Sequence, residues 1–213
     1  MTLDKITDST FAVVDGTTRG NMGFIIFGNR ALVVDTGMNH LVTSKIRDEF
    51  LKTGTEPDMI LFTHYHSDHT FGAQCFGEIP IISSVQTNQV IEDMLTKNWT
   101  RDSIINGYEK VKDERPKLWE AVQTLEIRKP ISTFDANVEL GENKEVSVIH
   151  LGGHTTGSSI AFLKSERVVF IGDLIFNKSF PYAGDPTCEP DAWIAALDRV
   201  IQIKPEIVIP GHG

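Results

Sequence analysis

The chain has 213 residues, 40% of them hydrophobic, enough for a sizeable core and for one large domain or two small ones. Its 17 glycines and 9 prolines exclude collagen-like and low-complexity classes, and its apolar content excludes disorder. With 29 acidic against 20 basic side chains the formal charge is −9, which opposes coating of nucleic acid or of an anionic membrane.

Short runs rich in β-branched and aromatic residues at positions 11–14, 23–27, 31–34, 59–62 and 79–82, bounded by Gly, Asn or Pro, predict strands. Residues 40–52 carry Leu41, Ile46, Phe50 and Leu51 at roughly helical spacing, so a helix lies between two of these strands and a βαβ unit is implied. From 86 to 130 the texture becomes charged and mostly helical. This insert holds eight acidic and eight basic residues, so the whole deficit of −9 sits in the flanking strand-rich parts. Strand signals return at 145–150, 159–163, 167–171 and 206–209. Between the last two, Pro190 opens a helix whose apolar face is read as Trp193, Ile194, Leu197, Val200 and Ile201. A single domain over residues 1–213, two similar α/β halves with the helical insert between them, is the simplest architecture.

The seven histidines carry the chemistry. His64, His66, Asp68 and His69 crowd into the six positions after the strand at 59–62. His154 follows the strand at 145–150, Asp173 the one at 167–171, and His212 the one at 206–209. Strand ends that carry His or Asp are how α/β proteins gather a site from distant chain positions. His64 and His66, at i and i+2, point to one side, where neutral imidazole suits Zn²⁺, while Asp68 and His69 turn to a second point. Two metals about 3.5 to 4 Å apart need about six or seven ligands; one zinc leaves about three of these residues unused. Cys75 and Cys188 lie outside these motifs, which disfavours structural zinc, and both read as free thiols in a reducing compartment. His40 and His150 read as capped or surface residues.

The pattern His64-Tyr65-His66-Ser67-Asp68-His69 resembles the H-x-H-x-D-H signature of the metallo-β-lactamase superfamily. The early Val33-Val34-Asp35-Thr36-Gly37, Gly153-His154, Gly172-Asp173 and Pro210-Gly211-His212-Gly213 extend the resemblance over nearly the whole chain. It implies a four-layer αββα sandwich, two mixed β-sheets flanked by helices, with a binuclear site at one edge. By position it implies His64, His66 and His154 on a first metal, Asp68, His69 and His212 on a second, and Asp173 bridging them. Asp35 resembles the carboxylate that orients a ligand imidazole. An Asp at 173, where β-lactam-hydrolysing branches have Cys or Ser, resembles the bridging-Asp branch of glyoxalase II, thioesterases, lactonases, phosphodiesterases and related hydrolases, and makes β-lactam hydrolysis secondary. Family members usually continue beyond the last ligand, so the end at Gly213 reads as a trimmed boundary or leaves His212 at a fraying terminus.

The function expected is hydrolysis of a small ester, thioester or lactone by a hydroxide bridging two Zn²⁺ ions, with Fe or Mn as alternative metals and Asp68 as proton shuttle. Phe176, Phe180 and Tyr182 are read as an apolar wall for substrate, with Tyr65 exposed by alternation and reaching it. Trp99, Tyr108 and Trp119 in the insert are read as a lid or as core. The insert's basic residues, Arg115 and Lys117 among them, are read first as solvated helix faces and second as contacts for an anionic substrate. The alternatives are a phosphodiesterase or nuclease, against which the missing basic arm counts, and a non-catalytic metal-binding accessory protein. The opening MTLDKITDST lacks the apolar stretch of a signal peptide, and no run reaches the ~18 apolar residues of a membrane helix, so a cytoplasmic protein with a small-molecule substrate is expected.

Overall fold

The computed structural model describes residues 2–213 and places the strands in two sheets. The first runs in chain order through β1 (Asp4–Lys5), β2 (Thr10–Val13), β3 (Met22–Phe27), β4 (Arg30–Val34), β5 (Pro57–Leu61), β6 (Ile81–Ser84) and β7 (Ser132–Phe134). Strands β1 to β4 pair antiparallel and β4 to β7 parallel. The second sheet holds β8 (Asn137–Leu140), β9 (Val146–His150), β10 (Ser159–Leu163) and β11 (Val168–Phe176) as an antiparallel meander, with β12 (Ile207–His212) parallel to β11.

The runs are continuously apolar because both faces of each sheet are covered. From β4, Leu32 and Val34 point inward with Ile25 and Leu61 and meet Val148, Ala161, Val168 and Phe170 of the second sheet. Ala31 and Val33 point outward to α1 (His40–Phe50), where Ile46 and Phe50 pack on Phe24; the Phe24 and Phe50 rings stack at 4.0 Å. On the other side Ile160, Val169 and Ile171 meet α6 (Pro190–Ile203). The architecture is therefore the expected sandwich of two mixed sheets between helical layers.

Several expectations change. The buried face of α6 is Trp193, Ala196, Leu197, Val200 and Ile203. Ile194 and Ile201, assigned to that face from the sequence, are 61% and 69% exposed; they lie off the i, i+3, i+4, i+7 stripe that meets the sheet. The insert is mostly helical, as expected: α3 (Val85–Thr96), α4 (Arg101–Glu109) and α5 (Pro116–Gln123) lie in the crossover from β6 to β7. Gly172–Asp173 is not a turn after a strand. It sits inside β11, where the pairing with β12 shifts register and Gly172 takes φ +54. His212 likewise lies within β12, and its carbonyl accepts from Asn177 N at 2.8 Å. His40, read as a capped or surface residue that starts a helix, does open α1 behind the N-cap Asn39, but it is buried, with its Nε2 3.0 Å from Ala121 O. His150 is half-buried between the carbonyls of Asp135 and Thr156. Both cysteines are free and half-buried. Among the described residues no helix is long and apolar enough to cross a membrane.

Candidate metal centre

The parallel strands of the first sheet end at the same edge as the β9–β10 connection and the bulged part of β11. Across that edge Ser159 N donates to Thr63 O at 2.8 Å, and Asn21 N donates to Gly211 O at 2.7 Å. His64, His66, Asp68 and His69 arrive on the segment after β5, where a short helical turn, α2 (Ser67–Thr70), reverses the chain. His154 comes from the β9–β10 connection, Asp173 from β11 and His212 from β12. A Cβ on Gly211 would overlap Asp173 Oδ1, so that approach requires glycine.

The seven residues gather into two adjoining sets. One ligand atom from each of His64, His66, His154 and Asp173 falls within 4.8 Å of the others, and so do those of Asp68, His69 and His212. Asp173 lies between the sets. Its Oδ2 is 3.8 Å from His64 Nε2, 3.5 Å from His154 Nε2 and 3.3 Å from His212 Nε2, while its Oδ1 is 3.1 Å from His69 Nε2. Asp68 Oδ2 is 3.5 Å from His212 Nε2.

Four of the rings have their far nitrogen held by an acceptor. His69 Nδ1 donates to Asp35 Oδ2 at 2.8 Å, and His154 Nδ1 to Tyr182 O at 3.0 Å. His66 Nε2 donates to Asp185 Oδ2 at 2.8 Å. Thr63 Oγ1 gives its proton to Asp35 Oδ2 at 2.7 Å and therefore accepts from His64 Nδ1 at 3.0 Å. In each neutral ring the nitrogen facing the centre then carries a lone pair, the tautomer a cation requires. His64 Nε2 is buried without a hydrogen-bond partner, and His69 Nε2 and Asp173 Oδ1 are buried with only each other, at 3.1 Å. Buried polar atoms are seldom left so, and this convergent nitrogen and oxygen set fits divalent cations. A third grouping, Asp35 with His64 and His69, has its carboxylate already engaged by Thr63 and His69 and does not face the centre.

Electrostatics follow from burial. Burial pushes His64 well below the usual imidazole range, reinforced by neighbouring His69, and lowers His154 to about 4 despite Asp173. Burial also opposes a charge on His69, but Asp173 and Asp35 outweigh it and hold that ring well above the usual range. Asp173 is held well below the usual carboxylate range, because His69 and His64 outweigh the penalty of burial.

Asp35 occupies φ +57 while buried, a strained position for a non-glycine residue. Tyr65 does not reach outward as alternation predicts. It is 7% exposed, and its hydroxyl donates to Asp185. Phe176 stacks on His212 at 5.1 Å. Tyr182 is 6.3 Å from both His66 and His154, and it borders a cleft of about 470 Å³ with Arg19, Asp68, Met94 and Trp99. Phe180 is 93% exposed and forms no wall. Trp99 lines the cleft and also packs at 4.9 Å on Phe71, with Tyr108 and Trp119 in the same cluster. Sequence reasoning missed Asp185. Nothing in its surroundings marks it, since the residues it binds, Tyr65 and His66, lie about 120 positions earlier.

The family model described as Metallo-beta-lactamase superfamily matches residues 15–212, and the chain belongs to that superfamily of hydrolases. It is 24% identical over 210 residues to an acyl-coenzyme A thioesterase, MBLAC2, of Gallus gallus, covering 91% of this chain and 72% of that protein. It is 22% identical over 206 residues to a linear primary-alkylsulfatase of a Pseudomonas species, covering 85% of this chain but only 39% of that longer protein. Among solved structures the metallo-β-lactamase DIM-1 superposes with a TM-score of 0.72 at 20% identity, over 100% of this chain and 89% of its own, which shows the shared fold.

Proposed function

We propose that this metallo-hydrolase is a binuclear enzyme that cleaves a small ester, thioester or lactone. The observation that carries the reading is Asp173, one carboxylate set between two groups of ligand atoms in which four of the five imidazole rings have their far nitrogen held by an acceptor. His64, His66 and His154 would hold one cation, Asp68, His69 and His212 the other, and Asp173 both. Imidazole and carboxylate suit Zn²⁺ and also accept Fe or Mn. Bound cations of this kind supply a water of lowered pKa and polarise an electrophilic oxygen.

The chain's own residues do the rest. Asp68, half-buried beside His212, is placed to take the proton released when water attacks and to pass it to the departing group. Tyr182 and Phe176 flank the reacting centre. The thioesterase relatives support the thioester reading, and the chain's charge of −9 continues to disfavour polyanions such as nucleic acid. Elemental analysis, combined with turnover of an ester, thioester, lactone, sulfate ester and phosphodiester panel, tests the proposal. His66→Ala and Asp68→Ala are expected to fold and to lose metal and hydrolysis together; turnover equal to that of the unaltered protein overturns the reading.

A further inference from the structure

Beside the metal cleft lies a second cavity of about 490 Å³, between the loop at residues 17–19, the start of α1 and the start of α5. Met38, Val42 and Leu118 give it apolar walls. The walls are fixed to one another: Met38 N donates to Thr18 O at 3.0 Å, and the Asn39 side chain donates to Lys117 O at 3.1 Å. Thr18 is 1% exposed and lines this cavity, yet its hydroxyl has no hydrogen-bond partner among the described residues. A buried hydroxyl without a partner, on a residue that lines a preformed cavity, is a donor that a polar atom of a ligand would satisfy.

The charges around the cavity point the same way. Arg19, Arg115 and Lys117 line it against one acid, Glu114. The insert's other cations are largely engaged: Lys97 pairs with Asp93 at 2.6 Å, Lys129 with Glu92 at 3.0 Å, and Arg101 donates to the carbonyls at the end of α5. Among the described residues Arg19 and Arg115 form no ion pair. Arg19 alone of the cations lines both the cavity and the metal cleft, and it does so at φ +69, a backbone conformation costly for a non-glycine residue.

We propose that this cavity holds the remote part of the substrate, an apolar chain bearing an anionic group, and that Arg19 is the residue selecting for that charge. The inference rests on the hydrolase reading above and names its substrate class: an ester or thioester with an apolar chain and a carboxylate, sulfate or phosphate. Arg19 and Arg115 bind the anion, Thr18 donates to it, and Met38, Val42 and Leu118 receive the chain.

Calorimetric titration of the metal-loaded protein with octanoate, octyl sulfate and neutral octanamide tests the site without turnover. Binding of one or both anions at least tenfold tighter than octanamide, weakened about tenfold by Arg19→Ala and partly restored by Arg19→Lys, is expected. Val42→Trp, which fills the cavity at a distance from the metal ligands, is expected to abolish that binding. Equal affinity for all three probes overturns the proposal, as does anion binding indifferent to both Arg19→Ala and Val42→Trp. Kinetics with two thioesters of equal length, one carboxylate-ended and one methyl-ended, separate this inference from the hydrolase reading. A preference for the charged thioester that Arg19→Ala removes through KM supports both. Turnover of both thioesters without preference overturns only the inference. Absence of all hydrolysis, with Arg19-dependent anion binding retained, overturns only the hydrolase reading.

Discussion

His66 Nε2 and Asp185 Oδ2 lie 2.8 Å apart, and this contact turns the ring so that Nδ1 meets His154 Nε2 at 3.3 Å inside the centre. The same carboxylate takes the Tyr65 hydroxyl and both the amide and the hydroxyl of Thr187. Asp185→Ala is therefore expected to weaken metal retention about 10- to 100-fold while the sandwich stays folded. Competition with a fluorescent chelator measures this. Retention within twofold of the unaltered protein would mean that Asp185 has no part in holding His66.

Asp35 ties Thr63 and His69 together through three contacts of 2.7 to 2.8 Å. Asp35→Ala leaves the Thr63 amide and the His69 Nδ1–H without acceptors in a buried place, and each costs about 1–3 kcal/mol. A loss of at least about 2 kcal/mol in urea unfolding of the chelated protein is expected, together with poorer metal uptake. A loss below about 0.5 kcal/mol would contradict the account.

Stability of the chelated protein depends on pH with a definite sign. His154 titrates near 4 in the fold against an ordinary 6.5, and His64 is displaced the same way. Below pH 6.5 the unfolded chain therefore binds protons that the fold refuses, and stability falls as pH drops toward 4. His69 is displaced upward, so the stability it contributes is complete below 6.5 and is lost as pH rises through its folded value. The two effects occupy opposite sides of 6.5, and the urea midpoint is expected to peak near that pH. A midpoint rising steadily from pH 4.5 to 9 would be the contrary outcome.

Gly211 passes so close to Asp173 that a methyl group would displace the Oδ1 atom. Gly211→Ala is expected to lower metal content below one equivalent and abolish turnover, with little change in far-ultraviolet circular dichroism. Plasma emission spectrometry on the purified variant decides the point; full occupancy would refute it.

The sheets and the cluster were legible because they have local signatures. Runs such as Ala31 to Val34 are apolar without alternation since helices cover the outer face, and His64 to His69 crowd behind one strand. What escaped is set by non-local pairing. β7 and β8 carry short, mostly polar sequences that become strands only against β6 and β9. Asp173 reads as a turn residue until β12 pairs beside it and extends β11 through the bulge to Phe176. Tyr65 follows simple alternation until Asp185 draws its hydroxyl inward.

The hydrogen bond from Ser159 N to Thr63 O joins the backbones of the two sheets at the edge where the histidines meet. His64 and His66 belong to the first sheet's side of that seam, His154 and Asp173 to the second. A cation shared across it acts on folding as a cross-link between the layers, shortening the loops that the unfolded chain must close. Loading the centre is therefore expected to slow amide hydrogen exchange on both sides of the seam, beyond the protection that the core shared by the two sheets already gives.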